Sequence, residues 1–312
     1  MHRVVILGGF GFLGSHIALE LILKGYQVTI FTRPGSHPRT GREILAQARI
    51  VRGDYQVPED VIEVLRDQDT LIHLIHTTVP GSSMQDPSHD VLSNIVPGLG
   101  WMQKLPQLNL QRIIFVSTGG AVYGEAQYLP IDEQHPTNPI SSYGITKLTL
   151  EKYLSISVAQ SSTSLRIIRP GNVYGFGQST QTGQGVIGTM AQRAINGQNL
   201  EIWGSGTNVR DYLHIDDFVR AIMGLIQYDG AETVFNCGSG QGHNVLEIVD
   251  LLSSHLGRSL PIRHLPDRAF DVHMNVLNSQ RLMNAINWRP HIDLRSGIAQ
   301  VVENIREAHK QS

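Results

Sequence analysis

The sequence predicts an α/β fold with a doubly wound parallel sheet, and three observations predict it. Short apolar runs of strand length alternate with segments of helical length through the first two thirds of the chain. One of these runs, residues 70–75, is apolar enough to be covered on both faces, as parallel strands are. The first run, residues 3–7, is closed by Gly8-Gly9-Phe10-Gly11-Phe12-Leu13-Gly14 and leads into a helix. In such sheets ligands sit above the carboxyl ends of the strands.

Taken in order, residues 3–7 read as a buried strand and residues 15–24 as a helix. Glycines allow a tight turn and close approach to a pyrophosphate, and the free N–H groups at the helix start attract phosphate. Gly9, Gly11 and Gly14 fit G-x-G-x-x-G, while Gly8, Gly11 and Gly14 fit G-x-x-G-x-x-G. A ligand-free glycine turn shows the same spacing, so this stretch alone does not decide. Leu13, Ile17 and Leu21 share one helix face and Glu20 and Lys24 another, which is an amphipathic helix rather than a secretory signal core. Gly25 stops it. Residues 28–31 form the second strand. In dinucleotide-binding units an acid closes this strand and bonds the adenosine ribose. Here Thr32 stands there, followed by Arg33, which could pair with a 2′-phosphate, stack on adenine or face water. The cofactor is therefore expected to be NAD or NADP.

Residues 34–41 are a polar loop. Residues 50–54 read as the third strand, with Asp54 placed to meet an adenine amino group. Residues 59–66 are a short helix and residues 70–75 the fourth strand. His73 and His76 do not suggest a metal site: three apart on a strand, they splay to opposite faces, and no cysteine or acid joins them. Residues 86–105 contain a helix carrying Asn94, and residues 113–117 form the fifth strand. It ends in Ser117-Thr118-Gly119-Gly120-Ala121-Val122-Tyr123-Gly124. Tyr143 and Lys147 then open a helix to Val158 and, four apart, share one face. A tyrosine with an ordinary pKa of about 10 is a poor base, and a nearby ammonium together with an oxidised nicotinamide favours its phenolate. Y-x-x-x-K alone is common. After a strand ending in Ser-Thr and a glycine turn, it gains meaning.

At this point the sequence resembles the extended short-chain dehydrogenase/reductases, specifically the NAD-dependent epimerase/dehydratase group that acts on nucleotide sugars. The likeness covers nearly the whole chain. It is carried by Gly8 to Gly14, Gly53-Asp54, Ser117-Thr118 with Val122-Tyr123-Gly124, Tyr143 with Lys147, and Arg169-Pro170-Gly171-Asn172-Val173-Tyr174-Gly175. Further on it is carried by Ile202-Trp203-Gly204, Val209-Arg210-Asp211-Tyr212, and Arg268 with Asp271. The resemblance implies a Rossmann-type sheet with a smaller, interleaved C-terminal substrate lobe. It implies residues 1–172, rejoined by 213–240, for the dinucleotide, and mainly 173–212 and 241–312 for the substrate.

It implies Tyr143, Lys147 and Thr118 as catalytic residues. It implies cofactor contacts from Gly8, Gly11, Phe12, Leu13, Gly14, Thr32, Arg33, Asp54, Tyr55, Leu74, Ile75, His76, Asn94, Ser117, Tyr143, Lys147 and Pro170. For the substrate it implies an amide from Asn172, a nucleobase wall from Trp203, diphosphate neutralisation by Arg210 and Arg268, and a ribose contact from Asp271. Each has a structural alternative: Arg210-Asp211 as an ion pair, Trp203 as core. Asp216 and Asp217 read as N-terminal helix caps.

Two departures shape the expected chemistry. The family's usual catalytic hydroxyl falls at Gly119, so the role passes to Thr118 or Ser117. Gly119, Gly120 and Ala121 also replace the acid pair of 4,6-dehydratases. What stays is a nucleotide-sugar epimerase inverting C4 of a UDP-hexose through a 4-keto sugar. The alternative is an NADPH-dependent reductase of a 4-keto nucleotide sugar, and a third is a nucleotide-sensing protein without catalysis. A formal charge of −2 over 312 residues argues against nucleic acid or anionic membrane as partner. The single Cys237 fits a reducing, cytoplasmic setting, and no apolar run reaches the ~18 residues of a membrane span. The resemblance implies a homodimer paired through residues 86–105 and 142–158.

Overall fold

The computed structural model describes residues 2–159, 161–178, 185–268 and 271–310. Its first half alternates as expected. The order is β1 (Arg3–Leu7), α1 (Phe12–Leu23), β2 (Gln27–Thr32), α2 (Arg42–Leu45), β3 (Arg49–Arg52), α3 (Pro58–Leu65), β4 (Thr70–His73), α4 (Pro80–Gln85), α5 (Pro87–Met102), β5 (Arg112–Val116) and α6 (Ser142–Val158). Then follow β6 (Ser164–Pro170), β7 (Asn172–Tyr174), α7 (Val186–Ile195), β8 (Leu200–Trp203), β9 (Val209–His214), α8 (Ile215–Gln227) and β10 (Val234–Cys237). The chain closes with β11 (Gly242–His243), α9 (Val245–Leu256), β12 (Ile262–Leu265), β13 (Met274–Asn275), α10 (Gln280–Ile286) and α11 (Leu294–Lys310).

Seven strands form one sheet in the order β10-β6-β5-β4-β1-β2-β3, each neighbouring pair parallel. The strand order reverses between β1 and β4, which opens a crevice at their carboxyl ends. Period-2 alternation divides β1 between two cores. Val4 and Ile6 face a cluster with Ile17, Leu21, Phe218 and Ile222 of α1 and α8. Val5 and Leu7 face the opposite cluster with Trp101, Leu150 and Leu154 of α5 and α6. Both faces are thus dry, which is why the strands are apolar throughout. A third core, with Ile187, Ile248 and Val302, lies among α7, α9 and α11. It is flanked by a two-stranded sheet, β12-β8, and a four-stranded one in which β9 pairs with β7, β11 and β13. Residues 179–184 and 269–270, in the stretches expected to line the substrate side, lie outside the described residues.

Several elements differ from expectation. Helix α1 starts at Phe12, because Gly11 is extended and acts as its N-cap. Within 86–105 one α-helix, α5, runs from Pro87 to Met102 as expected, and a further short helix, α4, precedes it; Asp86 separates the two, its side chain accepting the His89 N–H at 2.8 Å. β4 ends at His73, so His76 is not on a strand at all. His73 stacks on Trp101 in the core while His76 faces α5 and α6, so the two are separated by chain direction rather than by pleat alternation. No group of metal-ligating side chains occurs among the described residues. Asp216 and Asp217 do not cap α8. His214 does, accepting the Asp216 N–H through Nδ1 at 3.3 Å. The buried Asp217 instead accepts the backbone N–H groups of His291 and Ile292 at 3.1 and 3.0 Å, which anchors the segment before α11.

Candidate active site

The glycine turn has the backbone that a phosphate cradle requires. Gly8 adopts φ +90°, a region that side chains resist. A Cβ on Gly14 would stand 2.7 Å from Gly9 Cα, so only glycine allows α1 to pack this close to β1. Gly11 places no side chain over the start of α1, so the helix's first N–H groups meet no side-chain cap. Leu74 and Ile75, following β4, line the other side of Gly8. Phe12 and Leu13 continue the turn into α1, half-buried against the core. These residues fit a dinucleotide diphosphate.

Towards the adenosine side, Thr32 is buried and Arg33 exposed, with the Arg33 carbonyl accepting from Arg52 at 3.4 Å. Asp54 is exposed and accepts the Gln56 N–H at 3.0 Å. Tyr55 points inward, its hydroxyl 3.0 Å from His73 Nε2, so its side chain belongs to the core. The Asn94 amide is engaged within the fold. It accepts the Thr77 N–H at 2.9 Å and donates to the Thr77 hydroxyl at 2.8 Å, which holds the segment leaving β4.

The end of β5 decides which hydroxyl is available. Ser117 is buried and its hydroxyl donates to Glu151, which itself pairs with Arg169 at 2.6 Å. Ser117 therefore points away from the crevice, whereas Thr118 is half-exposed. Gly119 has no room for a side chain: a Cβ would lie 2.6 Å from Leu277 Cδ1 and 3.0 Å from the Arg169 carbonyl oxygen. Its own carbonyl accepts from Asn275 Nδ2 at 3.0 Å.

Helix α6 places Tyr143 and Lys147 on one face. Ser141 caps it, accepting the Gly144 N–H at 3.2 Å. Lys147 is buried, and its ammonium donates to the Val116 carbonyl at 2.9 Å, at the end of β5. Burial pulls its pKa down to about 7, against the opposing pull of Glu151 and Asp90. Tyr143 is half-buried, and no hydrogen bond among the described residues reaches its hydroxyl. Burial, then the Asp90 charge, raise its pKa above the ordinary value. In the protein alone the balance thus runs against the phenolate, and Lys147 turns its charge towards the strand end. Pro170 closes β6, in register with Cys237 of β10.

The remaining residues lie on the small sheets. Asn172 begins β7, in register with Tyr212 of β9, and its Oδ1 is 3.4 Å from where a Gly120 Cβ would stand. Trp203 ends β8 and is 44% exposed, so it is not core. The Arg268 guanidinium stacks on its ring at 3.8 Å. Arg210 is half-buried on β9, faces the charge of Asp271, and donates to the Val209 carbonyl at 2.9 Å. It does not pair with Asp211. Asp211 is buried and accepts from the Ser239 and Gly240 N–H groups at 2.7 and 3.1 Å.

Sequence reading missed Asp90 and Ser83. Ser83 accepts the Tyr143 N–H at 3.0 Å, and Asp90, wholly buried on α5, receives hydroxyls from both sides of Tyr143. The signal available was Asp90 one turn before Asn94, on the same helix face.

This chain and its fold have known counterparts. The chain is 31% identical over 304 residues to a putative UDP-glucose 4-epimerase of Methanocaldococcus jannaschii, covering 96% of this chain and 97% of that protein. It is 29% identical over 311 residues to a dTDP-4-dehydro-6-deoxyglucose reductase of Escherichia coli, covering 97% of each. Among solved structures, the UDP-glucose 4-epimerase of Thermotoga maritima with UDP-glucose superposes with a TM-score of 0.92 at 30% identity, covering 98% of this chain and 99% of that one. The model of the NAD dependent epimerase/dehydratase family matches residues 4–238, and the chain belongs to that family.

Proposed function

We propose that this protein is a nucleotide-sugar epimerase that inverts C4 of a UDP-hexose through a transient 4-keto sugar. One observation carries the reading. Lys147 bonds the carbonyl at the end of β5, Tyr143 lies one turn earlier on the same helix, Thr118 is half-exposed just past that strand end, and residues 119–121 supply no acid or base. That set oxidises and reduces a carbinol but has nothing with which to eliminate water.

A nicotinamide dinucleotide in the β1–β4 crevice supplies hydride exchange. Gly8, Gly11 and Gly14 would hold its diphosphate, and Lys147 its ribose. Tyr143 takes the proton of the sugar's 4-hydroxyl and later returns it, while the Thr118 hydroxyl bonds the same oxygen. Asn172, Arg210 and Asp271 would grip the nucleotide, and Trp203 with Arg268 would border the base. Residues 1–172 with 213–240 would bind the dinucleotide, and mainly 173–212 and 241–312 the sugar nucleotide, a division that the separate third core supports. NAD is the expected cofactor. Arg33 is exposed and no acid follows β2, which leaves room for NADP. A reductase of a 4-keto nucleotide sugar would draw on that feature and share the same tyrosine. The buried Cys237 suits a cytoplasmic setting.

We also read the protein as a homodimer. Leu92 and Val96 of α5 are 62% and 53% exposed, and Ile145 and Ile156 of the adjacent α6 are 52% and 59% exposed, a two-helix apolar face.

The test is incubation of the purified protein with UDP-galactose or UDP-N-acetylglucosamine without added cofactor. Formation of the C4 epimer, lost by more than ~10³-fold in Tyr143→Phe, is expected. Stoichiometric NADPH consumption with a keto-sugar, and no epimer from any UDP-hexose, would select the reductase. A Tyr143→Phe protein turning over like wild type would end both readings.

A further inference from the structure

We infer that Asp90, together with His76, is a positioning pair for Tyr143. Neither residue is a metal ligand, and Asp90 belongs to no motif that the sequence singles out.

The geometry begins with a buried carboxylate. Asp90 has no exposed surface, and a charge so placed is costly unless donors surround it. Its donors are dipoles rather than a permanent cation. Ser142 Oγ lies at 2.7 Å, Thr146 Oγ1 at 3.1 Å and Asn94 Nδ2 at 3.1 Å, the Thr78 hydroxyl also donates, and His76 Nε2 lies at 3.3 Å. These donors come from three segments: the exit from β4, Asp90's own helix, and α6. Ser142 and Thr146 flank Tyr143 in sequence. From α4, Ser83 takes the Tyr143 backbone N–H at 3.0 Å. The helical turn that carries the phenol is therefore tied to α5 through Asp90 and to α4 through Ser83.

His76 carries the tie to the ring itself. Its imidazole meets the Tyr143 ring edge-on, with centroids 4.7 Å apart, while its Nε2 is directed at Asp90. Its side chain is 5% exposed, and its Nδ1 is buried without a partner in the described residues. With Nε2–H donated to Asp90, the ring plane is set, and the phenol packs against a wall that does not rotate.

The pair also brings charge. Burial alone would raise the Asp90 pKa, but the bonds from His76, Thr78 and Ser142 hold it down to about 2. Burial keeps His76 neutral, with its pKa down at about 4. Near neutrality the pair thus sets one negative charge beside the phenol, in the direction of keeping the proton on Tyr143. The other titratable groups around this turn are His73 from β4, Lys147 and Glu151 from α6, and Arg169 from β6. Glu151 is neutralised by Arg169, and Lys147 faces the Val116 carbonyl.

The test uses two variants expected to move Tyr143 in opposite directions. Asp90→Asn removes the charge at constant shape. Ser142→Ala removes one donor and leaves the charge less well solvated. A difluorotyrosine installed at position 143 brings the phenol titration into an accessible range, read by fluorine NMR in the protein without cofactor. The catalytic readout, which rests on the epimerase reading, is the acid limb of kcat/KM for a UDP-hexose. Asp90→Asn should lower both midpoints by about one unit, with kcat about tenfold down as the turn loosens. Ser142→Ala should raise both midpoints by a few tenths of a unit, with a lowered thermal melt as the buried charge loses a donor. His76→Gln should lower kcat with KM unchanged. Midpoints unmoved in both variants, or moved in the same direction, would overturn the assignment. A fluorine titration that moves as stated in a protein that epimerises nothing would instead preserve the assignment and retire the epimerase.

Discussion

Gly119→Ser tests the assignment of the catalytic hydroxyl most directly, because it places a hydroxyl at the position where the family resemblance leads one to expect it. The structure says that this hydroxyl cannot be accommodated. A Cβ at 119 would stand 2.6 Å from Leu277 Cδ1, about 0.8 Å inside the 3.4 Å at which ordinary contact begins. Leu277 cannot swing out, because it is fully buried with Val122, Tyr123 and Ile131. On the other side the Arg169 carbonyl lies at 3.0 Å, and backbone does not yield as a side chain does. Forcing a methylene and a hydroxyl into such a gap costs about 1–3 kcal/mol. At about 2–4 °C per kcal/mol this lowers the melting temperature by roughly 2–12 °C. The shift would also press on the β5 end that carries Thr118. We expect Gly119→Ser to be less stable and no more active than the parent, measured by thermal unfolding and by UDP-hexose epimerisation. Thr118→Ala, by contrast, should keep stability and lose about 10²-fold or more in kcat. If Gly119→Ser melts with the parent, or rescues Thr118→Ala, the packing argument is wrong.

Three further outcomes are expected. Trp203→Ala removes the surface on which Arg268 stacks, so KM for the nucleotide sugar should rise about tenfold with kcat little changed, by steady-state kinetics. Leu92→Asp combined with Ile156→Asp should yield a monomer in sedimentation velocity while the circular dichroism spectrum is kept, whereas an unchanged sedimentation coefficient would exclude this face as the interface. Burial depresses the His73 and His76 pKa values from 6.5 to about 3 and about 4, so both are neutral in the folded protein while the unfolded chain takes up their protons. The stability they support is present above pH ~6.5 and falls by up to about 1.4 kcal/mol per pH unit for each as the pH drops towards 4. Denaturant midpoints across that window should show the slope, and His73→Phe should remove about one proton from it.

Much of this was legible in the order of residues. The glycine turn, the alternation of strands and helices, and the four-residue step from Tyr143 to Lys147 are local features, and local features follow from backbone sterics and helical periodicity. Boundaries were less legible. Helix α1 begins at Phe12 rather than Ser15 because Gly11, not a polar side chain, serves as N-cap. The helix expected within 86–105 runs from Pro87 to Met102, because the Asp86 carboxylate caps its start. The roles of Asp216 and Asp217 were misjudged because the position suited a cap, while the partners of Asp217 lie more than seventy residues away, at His291 and Ile292.

The sequence by itself determined the strand–helix alternation of a parallel sheet, the glycine turn that opens it, and the one-turn step from Tyr143 to Lys147, since each needs only short-range spacing and glycine's freedom. Tertiary structure alone decided that Ser117 is committed to Glu151, that Gly119 is walled in by Leu277, and that Asp90 accepts from Ser142, next to Tyr143. Those facts depend on partners 34, 158 and 52 residues apart, brought together by helices crossing the sheet, and no local spacing encodes such a meeting.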